Sequence, residues 1–257
     1  MTLDISILSI VLISMGSSTV LGVLSGLAFR KIPHRLNDIV LGFAAGVMLA
    51  AAMLGLMAPA FEESGDFLAP LLGTFAGALI ISLLDRIVPH LHRIAGLDSS
   101  DSASDRSKAL LFTAAIALHK IPEGLASGVS FSSENIGSIL TVASSLSLQN
   151  IPESIVIAAP LMMAGVSTKR TIAISFAIAA ISMAAVLAGI ALAAAFTGCA
   201  PFLLASAGGA MLYVISHEMI PETHSHGYEK PATFALIAGL LLVIIVQKLL
   251  AGISSFS

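Results

Sequence analysis

Three short stretches of the sequence place a polar side chain four residues ahead of a glutamate that itself follows a proline. They are His119 and Glu123 in HKIPEG, Gln149 and Glu153 in QNIPES, and Glu218 and Glu222 in HEMIPE. Residues four apart share one face of a helix. Two such helices set side by side bring an imidazole, an amide oxygen and two carboxylates to one point, a donor set suited to a borderline divalent metal ion. Pro122 cannot donate to the carbonyl of Leu118, nor Pro152 to that of Leu148, so each helix is expected to kink or loosen at its polar turn. A carbonyl freed in an apolar medium needs protein, water or an ion as its partner. The opposing reading makes each polar residue interhelical glue and each proline a mere kink. That reading serves for one isolated pair and weakens when the same spacing occurs three times.

The elements that must carry these motifs are built for lipid. Of 257 residues 57% are hydrophobic and 11% charged, against about 25% charged in an ordinary soluble domain. Apolar runs of roughly twenty residues, the length that crosses a bilayer, follow one another nearly end to end. They are expected near 5–29, 37–60, 67–88, 109–131, 136–163, 168–196, 201–222 and 231–250. The fold class is therefore all-α, a polytopic bundle of about eight transmembrane helices forming one membrane-embedded domain over residues 1–257. The apolar residues do not alternate as barrel strands would. The N-terminus lacks a basic leader, so the first apolar run is expected to be retained as a span. The net charge of −3 offers nothing to nucleic acid. Cys199 is the single cysteine and is expected to pack at a span end.

Basic residues set the expected orientation. Arg30, Lys31, Arg35, then Arg86, Arg93, Arg106 and Lys108, then Lys169 and Arg170, then Lys230 fall on one set of alternate loops. The other set carries Glu62, Glu63, Asp66 and Glu134, with Lys248 its one basic residue. By the positive-inside rule both termini face out of the cell membrane. The polar segment 93–107 becomes a cytoplasmic loop between spans three and four. Glycines four apart, at 22 and 26, 42 and 46, 73 and 77, and 124 and 128, suit close helix packing.

An ionised side chain at mid-bilayer costs about 2.5–3.5 kcal/mol on insertion scales, so intramembrane charges point to function. With HKIPEG and QNIPES the sequence resembles the ZIP family of metal-ion transporters. The resemblance extends over essentially the whole chain. It implies transport of zinc, with cadmium, iron or manganese as further substrates, toward the cytoplasm. It also implies a homodimer and an elevator-like motion of helices one, four, five and six against the other four. It makes His119, Glu123, Gln149 and Glu153 the metal ligands and Met48 a thioether contact from span two, where a methionine in an apolar helix would otherwise be core. His217, Glu218 and Glu222, with Asp85, His90 and His92, resemble the cytoplasmic exit route. No prosthetic group is implied; the metal is cargo.

Two departures bear on mechanism. Lys120 stands where the family motif commonly has asparagine, a ligand to a second metal, and span six offers Ser182 but no acidic residue near mid-depth. Asn150 is then the remaining neutral candidate ligand for a second ion. The expectation is one transported metal, with the Lys120 ammonium as a tethered cation holding both carboxylates ionised. Glu62, Glu63 and Asp66 are placed to draw a cation inward. Because the ligands must be deprotonated, uptake is expected to fall in acid. Rival readings are a passive channel, a metal sensor without flux, and an intramembrane metal-dependent hydrolase. The last lacks the HExxH spacing, since HEMIPE has no second histidine in place.

Overall fold

The computed structural model describes residues 5–28, 33–85, 120–132, 136–163 and 165–254, together with Thr113 and Ala117. Among these residues there is no strand, and the expected all-α class holds. Eight helices follow the expected spans. They are α1 (Ile5–Ala28), α2 (His34–Glu62), α3 (Leu68–Asp85), α4 (120–129), α5 (Ile136–Met163), α6 (Thr168–Ala195), α7 (Ala200–Thr223) and α8 (Glu229–Ser254). The 93–107 segment lies outside the described residues.

The outer surface is apolar. Phe75 on α3 is 69% exposed and Phe234 on α8 is 73% exposed, while Lys120, Gln149 and Asn150 are fully buried. Apolar outside and polar inside reverses the arrangement of a soluble domain, and the chain is an integral membrane protein. Helices α1, α2, α6, α7 and α8 are each long and apolar enough to cross a membrane by themselves, and α3 contributes the shorter apolar stretch Leu68–Leu84. In α5, 28 residues long, Gln149, Asn150 and Glu153 dilute the hydropathy, and its neighbours cover them.

Packing divides the helices into two groups. In one, α1 lies along both α5 and α6, and α4 presses on α6 through Gly124 and Gly128. In the other, α2 lies along α8 and α3 along α7. Contact between the groups runs chiefly through α2 against α5. All four glycine pairs sit at these seams. A methyl group on Gly22 would strike Ile151 and Ser154 of α5, one on Gly46 the Leu236 carbonyl of α8, one on Gly77 the Ser206 carbonyl of α7, and one on Gly124 would come within 2.5 Å of Ala185 on α6.

Two local devices fix the ends and bends. Helix α5 closes in a Schellman turn: Val166 N–H donates to the Leu161 carbonyl at 3.0 Å and Gly165 N–H to the Met162 carbonyl at 3.1 Å. Gly165 adopts φ 75°, a left-handed conformation that suits glycine at this position. The turn sends the chain straight back into α6. Helices α2 and α7 each contain a widened π turn, at Ala51–Met57 and Ile215–Met219, two residues ahead of Pro59 and Pro221. Each turn includes the carbonyl that its proline cannot satisfy, Gly55 and His217, so the wider loop of hydrogen bonds absorbs the loss.

Candidate metal centre

The buried charges of α4 and α5 meet. Lys120 Nζ donates to Glu123 Oε2 at 2.7 Å and to Asn150 Oδ1 at 2.8 Å, and it pairs also with Glu153 Oε2. Glu123 is 3% and Glu153 8% exposed. Asn150 Nδ2 reaches the Met15 carbonyl at 3.4 Å and Ser147 bonds Ser14 at 3.1 Å, so α1 backs the site. Three charges leave water together only when each is paired and hydrogen-bonded, and this cluster meets that condition with one cation between two anions. Its formal charge is −1, and a divalent ion brings it to +1. On the same stretch of α5 the Gln149 amide nitrogen and oxygen are buried without a hydrogen-bond partner among the described residues.

The other sequence candidates are placed as follows. His119, His90 and His92 lie outside the described residues. Met48 is buried on α2 in the main apolar core that also holds Met15 and Leu146. Asp85 ends α3. His217 sits on the π turn of α7, its ring 5.0 Å from that of Tyr213, and both line an open groove of about 410 Å³ between α3 and α7. Glu218 on the same turn is half-buried and Glu222 is exposed. Among the described residues no three His, Cys, Asp or Glu side chains converge as a ready metal cluster. The expected loosening at Pro152 takes a different form. Helix α5 stays one continuous α-helix from Ile136 to Met163, and the widened turns belong to α2 and α7.

The residues that sequence reading passed over are Asp38 and His226. Asp38 is fully buried on the second turn of α2, and its Oδ1 accepts from His226 Nδ1 at 3.1 Å. The His226 ring stacks on His34 at 4.6 Å. The pair ties the α7–α8 connection to the start of α2, across 188 residues. A carboxylate within an apolar run was the available signal, but its nearness to Arg35 suggests a wet helix end.

The ZIP zinc transporter family model matches residues 95–247. The zinc transporter ZIPB of Bordetella bronchiseptica is 37% identical over 242 residues, covering 91% of this chain and 78% of that protein. The zinc transporter GufA of Myxococcus xanthus is 35% identical over 240 residues, 90% of this chain and 94% of its own length. The zinc transporter ZupT of Salmonella paratyphi A shares 34% identity over a shorter 126 residues.

Proposed function

The chain belongs to the ZIP family of zinc transporters, and from that premise we propose that it carries zinc into the cytoplasm by alternating access through one mononuclear site. It is a transporter and not an enzyme. The site reading assigns His119, Glu123, Gln149 and Glu153 as ligands and Met48 as a contact from the opposing helix group. The observation that carries it is the convergence of Glu123, Asn150 and Glu153 on Lys120 in the bundle interior, with the Gln149 amide left over beside them.

Electrostatics favours one ion. At an effective dielectric of about 20, a divalent ion about 4 Å from an ammonium is repelled by roughly 8 kcal/mol. The two carboxylates compensate one such ion, and a second would take the cluster to +3. Lys120 therefore occupies the second position and keeps the empty carrier near neutrality. The division of helices into α1, α4, α5 and α6 against α2, α3, α7 and α8 supports an elevator-like movement of the first group. Entry near Glu62, Glu63 and Asp66, exit past Asp85, His90, His92, His217, Glu218 and Glu222, a homodimer in the cell membrane, and termini outside complete the proposal. Cadmium, iron and manganese satisfy the same donors, and geometry selects among them.

The test is metal flux into liposomes holding the purified protein, for zinc, cadmium, iron and manganese in turn. Saturable zinc flux lost in both His119→Ala and Glu153→Ala is the expected result. Zinc binding without flux would turn the reading to a sensor, and no binding would remove the site.

A further inference from the structure

The buried hydroxyls of the bundle fall into two classes. Ser14, Ser18, Thr19, Ser130, Thr141, Ser144 and Ser175 each donate to a carbonyl three or four residues back, the usual way for a hydroxyl to satisfy itself inside an apolar helix. Ser127, Ser145, Ser154 and Ser182 do not; their Oγ atoms are buried without a partner among the described residues. All four are on the ligand-bearing helix group, and leaving a hydroxyl unpaired in an apolar setting costs on the order of 1–3 kcal/mol. Two of them stand in register with the ligands. On α4, Ser127 is four residues past Glu123. On α5, Ser145 is four residues before Gln149 and eight before Glu153. The helices are joined through residues 130–135, so they run antiparallel, and Lys120 fixes their register by touching Asn150 and Glu153. Four residues are about 6 Å of rise. Ser127 thus lies about one turn beyond Glu123, and Ser145 about one turn beyond Gln149 and two beyond Glu153, both toward the α4–α5 connection and on the faces that carry the ligands. Ser145 is fully enclosed there (1% exposed), close to where the π turn of α2 meets α5 through Gly55 and Val142.

We propose that Ser127 and Ser145 form a hydroxyl step on the ion's path, which takes over part of the hydration shell of the metal as it passes between the α4–α5 end of the bundle and the carboxylates. The inference rests on the ligand reading above and adds positioning residues that it does not contain. A backbone-satisfied serine would serve packing; an unsatisfied one is free to exchange with water on a partly dehydrated cation.

The test uses the full chain with Cys199→Ser, because Cys199 is the single cysteine and exposed. Ser127→Cys and Ser145→Cys are treated in proteoliposomes with a membrane-impermeant methanethiosulfonate, with and without zinc. Ala126→Cys and Ala143→Cys serve as off-face controls, both in the apolar core. The expected result is modification at 127 and 145 that zinc slows at least several-fold, and no modification at 126 or 143. Equal reactivity at all four positions overturns the proposal. In flux, Ser145→Ala should raise KM for zinc about five-fold, the worth of one hydrogen bond, with kcat little changed and Ser145→Thr restoring KM. An unchanged KM also overturns it. Zinc binding separates the two readings: lost binding in Glu153→Ala with unreactive thiols at 127 and 145 keeps the ligands and removes the step, whereas retained binding in Glu153→Ala removes the ligand reading itself.

Discussion

At the scale of single residues, Lys120 sets a cation between two buried carboxylates. Its ammonium bonds a carboxylate from each of two helices and an amide oxygen, so two anions are held together inside an apolar bundle. Replacing it by asparagine leaves two carboxylates uncompensated and opens a neutral donor at the same place. Lys120→Asn is therefore expected to bind two zinc ions per chain where the parent binds one, measured by elemental analysis of the purified protein after dialysis. A stoichiometry and metal preference identical to the parent's would remove the tethered-cation role. Asp38 illustrates the same physics in another place. A fully buried carboxylate needs a partner, and His226 supplies it from a connection far away in the chain.

At the scale of helices, stability comes from close approach as much as from apolar area. Lipid is as apolar as leucine, so burying leucine gives little drive for helix association, and small residues that let backbones touch take that part. Gly77 is the sharpest case: an added Cβ would collide with the Ser206 carbonyl oxygen, which is backbone and cannot step aside. Gly77→Ala should part α3 from α7 and lower the midpoint of thermal unfolding in detergent, at a cost of roughly 1–3 kcal/mol for overpacking. Alanine at Gly65, with nothing within 4 Å, is the control and should leave the midpoint unchanged. An equal midpoint for Gly77→Ala would show that the seam is softer than its geometry implies.

At the scale of the whole molecule, the two helix groups touch chiefly where α2 faces α5, and a carrier must slide there while a channel need not. Gly55 on α2 and Val142 on α5 offer a direct probe. The Cβ position of Gly55 lies 3.7 Å from Val142 Cβ, within the roughly 3.5–4.5 Å that a disulfide spans. Gly55→Cys with Val142→Cys, in the Cys199→Ser chain, should form a disulfide that stops zinc flux, and a reductant should restore it. Flux that continues through the oxidised protein would favour a passive pore.

Composition and spacing determined a great deal by themselves: eight helices, their approximate limits, the glycine seams and the pairing of HKIPEG with QNIPES. Each is a local consequence of one solvent, because in lipid a backbone must satisfy itself within its own segment and a charge must have a reason to be there. The tertiary structure decided what depends on which helices meet. It placed the widened turns ahead of Pro59 and Pro221 while α5 runs on through Pro152, and joined Asp38 to His226. It also separated serines that bond their own helix from those that do not. None of these is visible along the chain, since a side chain's partner comes from a neighbouring helix, and the neighbour is chosen by packing of the whole bundle.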